Sequence, residues 1–302
     1  MAGTFKSMTD RLSDLAIRGL IRAAFLLPYR WRVPAVGWLT GQILAPLVGW
    51  RARIRANLAH VLPDLPRAEV RRLCREVPDN AGRTFIEFYS VEEFHDRMRR
   101  APLVGPGLAV FDAAKAEGRP VVMISGHFAN YQAINVAINL HGEQIGVLYR
   151  PMNNPYFNKH YVETTRRIAE PIFPRDKRGM AQLIRHLRGG GNVGILIDQF
   201  FRNGAALDFF GKPAPTALSA AELALKTDAL LLPAFAIRQE NGLDFIVEME
   251  EPIPHSDAET MTQDFNRRLE ARVRAHMGQW LWIHRRWKPE LQRRRAAASI
   301  GP

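Results

Sequence analysis

The 302-residue sequence predicts an α/β fold: a central, mostly parallel sheet flanked by helices, behind an apolar N-terminal helical segment that associates with membrane. Three observations predict it. From about residue 66, short β-branched runs alternate with helix-length stretches, the pattern of strand–helix–strand units. Gly189, Gly190 and Gly191 end one of those helical stretches, as glycine does at a helix C-terminus. Residues 33–50 form an eighteen-residue run without a charge, with arginines on both sides.

The elements follow in chain order. Residues 15–29 are apolar but carry Arg18 and Arg22, four apart and so on one helical face. That pattern suits a helix lying in a membrane interface, or an amphipathic helix packed on the domain. Asp10 and Asp14 precede it and no small-residue cleavage site stands out, so it does not read as a cleaved signal peptide. As a helix the run 33–50 spans about 27 Å, just short of a ~30 Å hydrocarbon core. Pro34, Pro46 and three glycines weaken it as a straight span, so monotopic insertion is the expectation. Arginines at both ends give no orientation by the positive-inside rule. The chain thus divides into a membrane-associating segment, 1–60, and a folded domain, 61–302. Strands are expected at 121–125, 145–149, 193–198, 230–238 and 245–249. Helices are expected at 68–75, 130–140, 155–169, 178–187, 216–226 and 260–277, followed by a basic, alanine-rich tail from Arg293.

The net charge of +12 points to an anionic partner. Its placement narrows the choice. Residues 1–60 carry +7, residues 267–302 carry +8, and the middle carries −3. A nucleic-acid binder spreads basic residues over its body, so this distribution argues against nucleic acid. The single cysteine, Cys74, excludes an intrachain disulfide framework and a cysteine-rich zinc site, and reads as a small core residue. No CxxC, HExxH, P-loop or GxSxG occurs, which leaves metal, nucleotide and serine-nucleophile chemistry without support.

The most informative segment is VVMISGHFANYQ at 121–132. A buried strand runs into Ser125 and Gly126, then His127, then a helix. Ligands of open α/β sheets gather at the carboxyl ends of strands, and His127 has that address. A histidine there removes a proton from an attacking hydroxyl, or is a satisfied structural histidine. Arg150 follows an apolar strand and precedes a proline, so it also belongs at a strand's carboxyl end. Asp198 closes another apolar run; it shapes the site or caps the next turn.

Five motifs stand in order: SGHFANYQ with YRPMNNP (149–155), PRDKRG (174–179), ILIDQ (195–199), FFGKPAPT (209–216) and QWLWIHRRWK (279–288). Together they resemble the late acyltransferases of lipid A biosynthesis, the lauroyl- and myristoyl-type enzymes within the wider lysophospholipid acyltransferase superfamily. The resemblance implies transfer of an acyl chain from acyl carrier protein to a hydroxyl of an acylated glucosamine disaccharide phosphate, at the cytoplasmic face of a bacterial inner membrane. It implies His127 as general base and no metal or organic cofactor. Arg150, Arg175, Lys177 and Arg178 become candidates to hold phosphate, because guanidinium forks match phosphate geometry. The donor carrier is acidic and the acceptor an anionic glycolipid; both suit basic chain ends.

The sequence departs from the family at one place. The family places an acid five residues after its histidine; here that residue is Gln132. A carboxylate holds the imidazole tautomer and stabilises the imidazolium, whereas an amide only orients the ring. Three accounts follow: Gln132 orients His127 in a slower enzyme, another carboxylate such as Asp198 supplies the charge, or the chain binds lipid without catalysis. Gln132→Glu is expected to raise transferase activity, and His127→Ala to abolish it. An acyltransferase for another glycolipid or a lysophospholipid remains the alternative acceptor class. Trp280, Trp282 and Trp287 lie among His284, Arg285, Arg286 and Lys288, a stretch expected at lipid headgroups or, failing that, at a core edge with a basic rim.

Overall fold

The computed structural model describes residues 2–288. The basic tail from Arg293 lies outside them. Nine strands are present among the described residues: β1 (Leu103–Val104), β2 (Val121–Ser125), β3 (Ile145–Tyr149), β4 (Ile172–Pro174), β5 (Asn192–Leu196), β6 (Ala205–Phe209), β7 (Lys212–Thr216), β8 (Leu230–Arg238) and β9 (Phe245–Met249). Seven build the central sheet in the order β1-β9-β8-β2-β5-β3-β4, and β6 and β7 pair as a separate hairpin. The run from β8 to β4 is parallel throughout; β9 is antiparallel to β8, and β1 follows β9. β2 is buried along its whole length, as a strand covered by helices on both faces must be.

Four expected strands have their expected bounds. The fifth, expected at 193–198, ends at Leu196, which leaves Asp198 in the loop beyond it. The helix expected at 68–75 runs as Arg67–Tyr89 straight through Pro78. Proline removes one backbone bond there, but Leu73, Cys74, Val77 and Ile86 are all buried along this helix, and their packing outweighs that loss. The helix expected from 216 starts at Ser219, because Thr216 closes β7. β7 holds Pro213 and Pro215, which hid it from sequence reading; proline is tolerated in a hairpin outside the central sheet.

The charge-free N-terminal run is helical up to Leu47, where the chain turns into the next helix, Trp50–Val61. Among the described residues no single helix is long and apolar enough to cross a membrane, but Tyr29–Leu47 and Trp50–Val61 form one such pair bent by 83°. Val33, Gly37, Gly41 and Ala45 turn one side of this run inward. They pack on Arg67–Tyr89, where a Cβ added to Gly82 would sit 2.3 Å from Thr40 Oγ1. Glycine is what lets these helices approach so closely. The other side exposes Trp31, Trp38, Ile43 and Leu47, continuous in sequence with exposed Leu20, Phe25 and Leu26.

Candidate active site

Parallel register assembles the site. Ser125 of β2 pairs with Leu196 of β5, so His127 and Asp198 both lie two residues past a matched pair. Tyr149 of β3 pairs with Pro174 of β4, so Arg150 and Arg175 both lie one residue past another. All four residues therefore emerge at the carboxyl ends of neighbouring strands.

The turn after β2 is tightly held. A Cβ on Gly126 would come within 3.1 Å of Asp198 Oδ2, so glycine lets the chain pass against that carboxylate. Ala129 has a φ of +43°, an uncommon conformation for a residue with a side chain. It is over-determined by its neighbours: its N–H donates to the Gln279 carbonyl at 2.7 Å and its carbonyl accepts from Thr84 Oγ1 at 3.1 Å. Asn130 donates to Glu87 at 2.9 Å, and Arg238 forks onto the same buried carboxylate at 2.5 and 2.8 Å.

Asp198 is the partner of His127. Its Oδ1 lies 2.7 Å from ring Nδ1, and its Oδ2 accepts the His127 backbone N–H at 2.7 Å and the Trp280 indole N–H at 2.8 Å. The carboxylate side chain is 1% exposed and the imidazole 16%. Burial alone would raise the Asp198 pKa, but the facing imidazole and its hydrogen bonds outweigh this and hold it well below the carboxylate range. The acid stays ionised and accepts from Nδ1–H, which in the neutral tautomer leaves Nε2 as the acceptor facing the cavities.

Gln132 does not take that role. The imidazole nitrogen it would orient is already held by Asp198, and its own Oε1 accepts from Asn135 Nδ2 at 2.8 Å, one turn along the same helix. Of the accounts for the missing acid, the geometry fits the one in which Asp198 supplies the charge. The same geometry argues against the expected gain from Gln132→Glu, since the ring nitrogen that the carboxylate would hold is already taken by Asp198.

Two cavities meet at His127, Tyr131 and Gln132. One, of about 230 Å³, is largely apolar, walled by Val77, Ala81, Phe85 and Phe88, and shares Tyr161 with the other. The other, of about 430 Å³, holds Ser125, Asn135, Gln199, Arg150 and Arg175. Lys177 and Arg178 are not brought in; they are exposed on the first turn of helix Lys177–Arg188, behind the N-cap Asp176. Burial raises the Tyr131 hydroxyl above its ordinary value, so it stays protonated between the two cavities.

The tryptophans are a correction. Trp280, Trp282 and Trp287 are 1%, 0% and 1% exposed and stack with Phe209 and Phe210 of the hairpin. Arg286 is no rim cation either: it is fully buried, donating to the Pro215 carbonyl at 2.8 Å and Thr216 Oγ1 at 2.6 Å, and burial pulls its guanidinium down to about 10. The apolar hairpin covers what the sequence places at a headgroup. Sequence reading missed His284. Its ring centroid is 5.0 Å from that of His127, and Gln199 Nε2 lies 3.1 Å from Nε2 of both rings. Burial, then the neighbouring His127, pushes the His284 pKa down to about 4.

A histidine held by a buried carboxylate at the strand ends, beside one largely apolar cavity and one lined by arginines, is the arrangement of an α/β enzyme site. The model of the family described as bacterial lipid A biosynthesis acyltransferase matches residues 6–289, and the chain belongs to that family. It is an acyltransferase, acting on a lipid acceptor. It is 26% identical over 255 residues to a phosphatidylinositol mannoside acyltransferase of Mycobacterium tuberculosis, covering 82% of this chain and 81% of that one. It is 24% identical over 277 residues to the lipid A biosynthesis lauroyltransferase of Escherichia coli, covering 89% of each. A lipid A biosynthesis acyltransferase of Haemophilus influenzae is also 24% identical, over 274 residues covering 89% of this chain and 85% of that one.

Proposed function

We propose that this enzyme moves an acyl chain from acyl carrier protein to a hydroxyl of an anionic lipid A precursor, at the cytoplasmic face of the inner membrane, with His127 as general base. The observation that carries this reading is the His127 ring, held at Nδ1 2.7 Å from the buried Asp198 carboxylate and lining both cavities. The acceptor hydroxyl gives its proton to Nε2 and its oxygen attacks the thioester carbonyl carbon. The C–O bond forms, the C–S bond breaks, and the leaving thiolate takes the proton back from Nε2. Asp198 stabilises the imidazolium between these steps. Hydroxyl and thioester give ester and thiol, so the step balances without a cofactor.

The apolar cavity suits the hydrocarbon, and the arginine-lined cavity suits phosphate at Arg150 and Arg175. Lys177 and Arg178, exposed beyond them, suit the acidic carrier protein as an outer rim. The exposed apolar side of the N-terminal helices suits a monotopic hold on the bilayer. Mass spectrometry of a purified lipid A precursor incubated with the protein and acyl carrier protein charged with a labelled chain tests the reading. A mass increase of one acyl group is expected, and no increase with any chain length overturns it.

A second acceptor class has an observation of its own: the mycobacterial relative named for phosphatidylinositol mannoside is 26% identical. Acylation of a mannosylated phospholipid, and not of the glucosamine disaccharide, would select it.

A further inference from the structure

We propose that Gln199 delivers the acceptor hydroxyl to His127, with His284 as the post that keeps the Gln199 amide in place. The proposal rests on His127 as base and adds two residues to its machinery. The Gln199 side-chain nitrogen lies 3.1 Å from His127 Nε2 and 3.1 Å from His284 Nε2. Proton bookkeeping fixes the direction of both bonds. The ionised Asp198 accepts the hydrogen bond from His127 Nδ1–H, so in the neutral ring Nε2 can only accept. A carboxamide nitrogen has two hydrogens and no acceptor, so it donates one to each imidazole. His284 as a neutral acceptor agrees with its low pKa. The titratable and charged groups facing this pair are Asp198, Tyr131 and Arg53.

Gln199 therefore covers the lone pair that the acceptor hydroxyl needs. Asp198 is sealed in the fold, but Gln199 is exposed and can turn. The His284 loop is fixed: Asn57 Nδ2 donates to the Trp282 and His284 carbonyls, each at 2.7 Å. An entering hydroxyl donates its proton to His127 Nε2 and displaces one Gln199 N–H, while His284 retains the other. The released N–H then donates to the hydroxyl oxygen. That leaves the oxygen with one contact to the base, one to the amide, and a free lone pair for the thioester carbon. The proton path is the one already given, and Gln199 gains and loses none.

The test separates acceptor from donor. Gln199→Met keeps the length and removes both N–H groups, and its exposed position leaves the fold intact. The acceptor KM should rise roughly tenfold, about one hydrogen bond, and kcat should fall, with the donor KM unmoved. His284→Phe fills the ring volume without an acceptor and should repeat that split, and His284→Gln, which restores an acceptor oxygen, should recover most of it. A melting curve guards the His284 variants against misfolding; Gln199→Met decides alone if they fail. His127→Ala is the control. If it still transfers acyl groups, the base reading itself is wrong. If it is inactive while Gln199→Met leaves the acceptor KM at the wild-type value, the base reading stands and the delivery role is overturned.

Discussion

Asp198 grips His127 at two points: one carboxylate oxygen lies 2.7 Å from the ring nitrogen Nδ1, the other accepts the residue's own backbone N–H at 2.7 Å. The first contact fixes the tautomer and the second fixes the loop, so imidazole and carboxylate move as one body. Asp198→Asn keeps the shape and removes the charge. The amide NH2 takes the place either of Oδ1, where it faces His127 Nδ1 and inverts the tautomer, or of Oδ2, where both the His127 backbone N–H and the Trp280 indole lose their acceptor. Turnover should fall by at least about a hundredfold and by up to about ten-thousand-fold, the loss that the acid-to-amide change causes in the serine-protease triad. Steady-state kinetics on the folded variant measure it; a loss under tenfold means the charge is idle.

The same pair shows what the sequence could and could not reveal. β2 and β5 were legible because their apolar runs are buried and bounded by turn residues, and His127 was legible because it follows such a run. That Asp198 pairs with it depends on β2 and β5 being neighbours in parallel register, 71 positions apart in sequence. No local pattern carries that fact. His284 was further from reach: its approach to His127 depends on the C-terminal segment crossing the strand ends, where the Leu281 N–H meets the His127 carbonyl at 3.0 Å. The tryptophans misled for a related reason. Arginine beside tryptophan reads as a wet interface, and only the β6–β7 hairpin, hidden by its two prolines, makes that segment a core.

Gln132→Glu tests the division of labour between Gln132 and Asp198. Gln132 is buried at 7% exposure, and its side-chain oxygen is occupied by Asn135. A carboxylate there would meet the Asn135 amide, which brings no positive charge, and would stand near an already ionised acid. Desolvation and like charge raise its pKa and disturb the lone pair of His127. The variant should lose several-fold in kcat/KM instead of gaining activity. A rise above wild type would restore Gln132 to the role of a degraded partner.

Stability should fall on mild acidification, and His284 gives the sign. Its folded pKa, about 4, is below the ordinary 6.5. Above 6.5 neither the folded nor the unfolded ring is charged, and the contribution is intact. Between 6.5 and about 4 the unfolded chain binds a proton that the folded ring refuses, so stability is lost as pH drops through that window. His95, His160 and His276, all lowered by burial, act in the same direction. Denaturant melts of His284→Phe and wild type, taken at pH 7 and pH 5, isolate one histidine. The variant should show a smaller drop between the two pH values, and equal drops would remove His284 from the account.

The exposed side of the N-terminal helices makes the remaining prediction. Leu26 and Leu47 are 85% and 78% exposed, so replacing both with aspartate removes little from the core. At a bilayer surface the same change withdraws two apolar side chains and sets two negative charges against anionic headgroups. Arg18, Arg22 and Arg30 stand in the same segment, and a basic residue near such a surface is worth about 1 kcal/mol. Binding of the wild-type protein to vesicles containing anionic lipid should therefore weaken with added salt, yet persist in part through the apolar contacts. The double variant should lose at least tenfold in vesicle partition by flotation, with its melting temperature within a few degrees of wild type. Undiminished flotation would move the membrane contact away from these helices, and the arginine-lined cavity with it would no longer be oriented by the N-terminal segment.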